Sequence, residues 1–558
     1  MLDKLKEYLN KYNIISFDIF DTLLLRPYAR PSNVFQHLEE INNSIGFYAV
    51  RKIAEDNLRK YKDIKYANYD EIYSVLPSDF RFLKEKEIQL EKDTLYANPQ
   101  MKEIFDYAKS LNKRIILISD MYFSSDILDD ILNKNGFTGY KKIYISSECK
   151  KAKHDGTLYK HTIQDLNATQ KNILHIGNNK HSDYTIAKNS HLNAFHYTEP
   201  KEQFFKKYPK FKKFYYKNKD SLTAGIIIGI LVKKYIENKN NNFDYWKYFG
   251  YFLGGPVCYG ISKFLYDRVI DRNIKEIILV ARDGYTIEKI FSLFNKNNKI
   301  KTHYIYAPRT LNILINIDYK NNFTWNNKLN SLIKLIKELC PKLAVKMNKL
   351  STNEEKENFI KNNITLIESI SVEMKNNYIK YIKRFNIKRK DIAIFDIVAC
   401  NFSSLKLLNN SLGKKSIYAI YWGISKKADT TDIDCIAYQK DFTNPIRNYN
   451  ALEFLVTAPE LPIKYMDKNG NFIRINNKEE EDRKNYYSII YKQEVNFCKN
   501  LLSTFKNYNV NFKCNELINL INLFFDNLDS NDKKYLKNIK YGVDEAHTKY
   551  ENLFDIKK

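Results

Sequence analysis

The chain has 558 residues, 44% of them hydrophobic and 14% aromatic, which excludes a disordered polymer and leaves room for several cores. Its formal charge of +26 is carried by lysines spread along the whole length rather than gathered in one tract. That pattern suits attraction of anionic small molecules and does not make nucleic acid the expected partner. Seven cysteines form no C-x-x-C pair, which argues against a zinc site or a disulfide framework and for a reducing compartment. The most apolar run, 224–232, is too short to span a bilayer, and the opening MLDKLKEYLNKYN lacks the apolar core of a signal peptide. A cytoplasmic protein without a transmembrane segment is the expectation.

In chain order, the apolar stretch Ile14–Phe17 predicts a buried strand of a parallel sheet. It runs into Asp18, followed by Asp21-Thr22, and Arg26-Pro27 breaks the pattern. Apolar positions recurring at three and four predict helices over 33–42, 48–61, 69–76, 80–95 and 101–111. A second strand, 114–118, ends in Ser119-Asp120, and Ser124 or Ser125 caps a helix that closes at Gly136. A third strand, 142–146, leads to Lys150, Lys151 and Lys153, and a fourth, 172–176, ends in Gly177-Asn178 with Asp183 beyond.

Strands alternating with helices predict an α/β fold, a doubly wound sheet with one site along its carboxyl edge. That edge gathers a carboxylate (Asp18), a hydroxyl (Ser119), an ammonium (Lys153) and a second acid (Asp183). The set suits phosphoryl chemistry. Asp18 would attack phosphorus, Ser119 and Lys153 would hold phosphoryl oxygens, and a magnesium ion would bridge carboxylates and a phosphate oxygen. Residues 10–200 resemble the haloacid dehalogenase-like (HAD) hydrolase superfamily through FDIFDTLL, LISDMY, KKAKHDGTLY and HIGNNKHSD, in that order. The insertion at about 27–100 sits where that family carries a helical cap. The resemblance implies Asp18 as nucleophile, Ser119 and Lys153 as phosphoryl-binding groups, and Asp18, Asn178 and Asp183 around Mg2+. Two departures stand out. Phe20 occupies the position of the usual acid/base, with Asp21, one residue later, as a further catalytic candidate, and Asn178 replaces a charged metal ligand.

Residues 201–240 read as a helical connector, and a second α/β domain over 241–470 follows. A long helix over 245–272 is interrupted by Gly254-Gly255-Pro256. Strands are predicted at 276–280, 302–306, 391–395 and 417–422, with a long helical stretch over 327–385. Arg282, Asp283, Arg309 and Asp396 fall at strand ends, so a second site for a phosphate or carboxylate is expected there. Residues 471–558 read as a helical C-terminal region. The whole pattern resembles large two-domain bacterial HAD proteins associated with surface-polysaccharide synthesis. It implies a phosphatase acting on a phosphorylated sugar or nucleotide-sugar ligand in that setting. Two alternatives stay open: a glycan-assembly transferase with chemistry in the second domain, and a non-catalytic ligand-binding scaffold.

Overall fold

The computed structural model describes residues 2–62, 66–238, 243–308, 311–312, 329–387, 390–413, 417–440, 446, 449–542 and 550–553. The chain forms two compact units, Met1–Asn242 with Leu501–Val510, and Phe243–Asn500 with Asn511–Lys558.

The first unit is built on five parallel strands: β1 (Ile14–Phe17), β2 (Arg114–Ser119), β3 (Ile143–Ile145), β4 (Ile173–Gly177) and β5 (Asn193–His196). Their order is β3-β2-β1-β4-β5. The chain leaves β1 toward β2 and β3, then returns to pair β4 on the other side of β1, so the winding reverses between β1 and β4. Phe17 pairs with Leu117 and with Ile176, so the ends of β1, β2 and β4 open at one level. β5 was not foreseen. It is a half-buried edge strand, and Asn193 and His196 give it no apolar run.

Helices Asn33–Asn42, Phe47–Lys62, Tyr69–Ser74 and Leu83–Thr94 form the expected insertion. Its neck is a short antiparallel ribbon, Leu24–Leu25 against Tyr96–Ala97. Inside it, Arg51 and Glu87 are both fully buried, and Arg51 donates from Nε and Nη2 to the two Glu87 oxygens at 2.9 and 2.8 Å. Phe35 and Tyr122 cover the guanidinium at 4.4 and 4.8 Å. Helices Pro200–Lys207, Pro209–Lys217 and Leu222–Glu237 also belong to this unit.

The second unit holds β6 (Glu276–Ala281), β7 (Lys301–Tyr306), β8 (Ile392–Ala399), β9 (Tyr418–Ile424) and β10 (Cys435–Ala437), again all parallel, in the order β10-β9-β8-β6-β7. The winding reverses between β6 and β8. Helices Leu329–Leu339, Pro341–Met347, Asn353–Asn362 and Ile364–Lys383 fill the crossover into β8. The helix interrupted by Gly-Gly-Pro is Tyr245–Phe249, then a π-turn over Gly250–Gly254, then Gly255–Asp271. Pro256, lacking an N–H, sits in the first turn of the last piece, where none is needed. The stretch 471–558 divides between the units. Phe505 packs on Tyr28 and on His37, ring centroids 5.4 Å apart in both cases, so 501–510 belongs with the first unit. The stretch is not all helical either, because Phe472–Arg474 and Lys540–Gly542 pair in two-stranded ribbons. Among the described residues no helix is long and apolar enough to cross a membrane.

Candidate active site

β1 delivers Asp18 to the point where the sheet's winding reverses. The Asp18 N–H continues the ladder by donating to the Ile176 carbonyl at 2.9 Å, which fixes the carboxylate at the strand end, where it is buried. Lys153 Nζ donates to Asp18 Oδ1 at 2.5 Å and to Asp183 Oδ1 at 2.7 Å, and all three side chains are buried. Thr22 donates its hydroxyl to Asp18 Oδ2 at 3.0 Å or to Asn178 Oδ1 at 3.2 Å. Ser119, 2% exposed, ends the neighbouring strand β2.

Each of these groups is held from behind. Asp120 accepts the backbone N–H groups of Lys153 at 2.8 Å and His154 at 3.3 Å, which clamps the loop that carries the ammonium. Asp183 Oδ2 accepts the Asn179 N–H at 2.9 Å, while Oδ1 also meets His175 Nε2 at 3.4 Å. The other ring nitrogen of His175 pairs with Ser16 Oγ at 2.8 Å. A Cβ on Gly177 would collide with the Asp183 carboxylate, so only glycine lets β4 end this close to it. From the sequence Thr22 and Asp120 stood only as neighbours of Asp21 and Ser119, and His175 and Ser16 were not singled out. The signal for the last two is visible in retrospect: Ser16 and His175 are polar residues inside otherwise apolar strands and stand in register.

Burial, reinforced by the charge of Asp183, pushes the Asp18 carboxyl up to about 7, against the pull of Lys153. Burial alone would lower the Lys153 ammonium, but Asp18 and Asp183 outweigh it and hold it well above its ordinary value. Burial would also raise Asp183, yet Lys153 and His175 keep it below the usual carboxylate range. The site is thus a fixed cation between one firmly ionised acid and one poised acid.

Asp21 takes a left-handed conformation, φ 56°, and its N–H donates to the Leu24 carbonyl. It lines a separate cavity of about 30 Å3 with Arg26, Arg30, Glu199 and Lys201. Its charge acts on Arg26, Glu199 and Lys201. Phe20 lies under the Arg26 guanidinium at 4.3 Å, and Arg26 is bound to Glu91 of the insertion at 2.9 Å.

The set Asp18, Asn178 and Asp183 does not fit magnesium as arranged. Both Asp183 oxygens are taken by Lys153, His175 and the Asn179 N–H, and Asn178 brings no charge. Among the described residues no group of three His, Cys, Asp or Glu side chains is placed to hold a metal ion. In the second unit, Arg282, Asp283 and Asp396 line one cavity of about 270 Å3, although Asp396 lies within β8 rather than at its end because the strand continues to Ala399, and Arg309 lies outside the described residues.

No family model and no curated protein matches the sequence. Among solved structures, the chain is similar to the L-2-haloacid dehalogenase from Xanthobacter autotrophicus (16% identity, TM-score 0.26), over 33% of this chain and 77% of that one. It is similar to the HAD-hydrolase YfnB from Bacillus subtilis bound to magnesium (16%, TM-score 0.26), over 33% and 87%. It is also similar to a protein from Haemophilus somnus described as a predicted phosphoglycolate phosphatase (13%, TM-score 0.26), over 34% and 86%.

Proposed function

We propose that the first unit is a HAD-type hydrolase in which Asp18 is the nucleophile and a phosphorylated metabolite the substrate. The observation that carries this reading is the Lys153 ammonium bonded at once to Asp18 and Asp183 at a sheet switch point. An Asp18 oxygen attacks phosphorus, the leaving group departs with its electron pair, and an aspartyl phosphate forms. Lys153 offsets the charge that builds on the phosphoryl oxygens, and the Ser119 hydroxyl donates to one of them. Water then attacks phosphorus, releasing phosphate and restoring the carboxylate. With Phe20 at the acid position and Asp21 turned into another cavity, neither position supplies a carboxyl to protonate the leaving group. The favoured substrates are therefore those whose leaving group is stable as an anion, such as acyl phosphates. A role in surface-glycan metabolism rests on the resemblance of the sequence alone.

The same aromatic residue and the poor fit to magnesium favour a second reading, attack of Asp18 on a carbon bearing a halide. A panel of acetyl phosphate, glucose 1-phosphate, p-nitrophenyl phosphate and 2-chloropropionate, assayed with magnesium and with EDTA, separates the two. Phosphate release from the acyl phosphate that Asp18→Asn abolishes is the expected result. Chloride release alone selects the second reading, and no turnover of any compound defeats both.

A further inference from the structure

We propose that the second unit carries a separate binding site for a phosphorylated, hydroxyl-bearing small molecule, anchored by Arg282. The site is the 270 Å3 cavity outside the carboxyl ends of β6 and β8, the two strands between which that sheet's winding reverses. Open parallel sheets bind ligands at such a point because neighbouring loops part there. Two helices begin at the cavity: Gly284–Phe294 directly after β6, and Ser403–Leu412 after β8. Gly284 makes the first turn sharp enough, since a Cβ there would lie 2.8 Å from the Leu279 backbone.

Arg282 is the group that asks for a ligand. Its side chain is about three-quarters buried, and among the described residues its one side-chain bond is from Nη1 to Glu480 Oε2 at 3.3 Å. That oxygen is already held by Arg483 at 2.8 Å. Arg483 is itself committed elsewhere, donating also to Thr457, Ala458 and Glu460. Two guanidiniums thus share one carboxylate oxygen, and Nε and Nη2 of Arg282 bond no described residue. A planar donor fork at helix N-termini is the chemistry of phosphate recognition.

A bare anion does not satisfy the rest of the wall. The same lining holds Glu453, Asn450 and Ser404, whose side chains make no hydrogen bond among the described residues, together with Asp396. Carboxylates repel a second anion but accept hydrogen bonds from hydroxyls. The ligand that answers both sides is a phosphate ester of a polyol: phosphate toward Arg282, hydroxyls toward Glu453 and Asn450. This site shares no residue with the Asp18 centre, so it stands or falls independently of the activity proposed there.

The test is calorimetric titration of full-length Asp18→Asn chain, which cannot turn the probe over through Asp18, with glucose 1-phosphate, inorganic phosphate and glucose. Glucose 1-phosphate is expected to bind at least tenfold more tightly than phosphate or glucose. Arg282→Gln weakens it about tenfold or more, and Glu453→Gln narrows the gap between glucose 1-phosphate and phosphate. Arg282→Lys, which keeps the charge without the fork, falls between wild type and Arg282→Gln and keeps the answer available if the glutamine variant does not fold. Equal affinity in wild type and Arg282→Lys, unchanged binding in Arg282→Gln, or no binding by any probe overturns the proposal.

Discussion

At the scale of single residues, the Asp18–Lys153–Asp183 triad is where chemistry and stability meet. A carboxylate attacks only when ionised, and Asp18 is held up to about 7 by burial and by Asp183. Its proton stays on below that pH and comes off above it. The rate under kcat/KM conditions should therefore rise with pH, level off above about 7, and lose that limb only in variants that change the pocket. A flat profile between pH 5 and 8 would contradict this. Lys153 is the only cation bonded to the two buried acids among the described residues. Lys153→Met should abolish turnover and, by leaving two buried carboxylates unpaired, cost about 3–5 kcal/mol in urea unfolding. Asp18→Asn should lose turnover without that loss of stability, because it removes a charge the pocket only partly tolerates.

At the scale of elements, the insertion is held by buried charge as much as by apolar packing. Arg51→Ala leaves Glu87 buried with only the tyrosine hydroxyls of Tyr73 and Tyr122 as partners. It should cost about 3–5 kcal/mol in denaturant unfolding, and Arg51→Lys should recover only part of that, since lysine has no fork. His37, in the first helix of the insertion, bonds the Tyr28 hydroxyl through Nδ1 and the Asn509 carbonyl through Nε2, both at 2.7 Å. Burial lowers its pKa to about 4, below the 6.5 of the unfolded chain. Between those values the unfolded state binds the proton and the folded state does not. Stability is therefore intact above about pH 6.5 and falls on acidification toward 4, by about 3 kcal/mol from this group. His37→Phe should flatten that part of the unfolding-midpoint profile. The major elements were legible because their periodicity is strong: the helix over 33–42 and the strands ending at Asp18, Ser119 and Gly177 follow directly from apolar spacing. The edge strand Asn193–His196 and the neck ribbon at Leu24–Leu25 were not, because a two-residue or polar strand exists only through its partners. At the site, Asp18 and Ser119 could be read as strand-end polar residues, and Lys153 and Asp183 as polar residues in the segments that follow strands. That Asp21 faces away could not, because it depends on one left-handed φ.

At the scale of the whole chain, the same device occurs twice: a five-stranded parallel sheet whose winding reverses beside its first strand, with charged residues at the reversal. The chain is not cut simply between the two. Residues 501–510 return to the first unit, where Phe505 is 2% exposed and Tyr508 donates to Asp93 at 2.9 Å. A fragment of residues 1–242 should thus be less stable than one to which 501–510 is joined by a flexible linker, compared by thermal unfolding. Equal stability would contradict that assignment. The central claim is covalent catalysis by Asp18, and quenching the reaction with acetyl phosphate before completion, then mapping peptides by mass, tests it most directly. The account predicts a phosphoryl adduct on the peptide containing Asp18, absent from Asp18→Asn. Turnover by a variant lacking the carboxylate, with no adduct on the wild-type peptide, would contradict it.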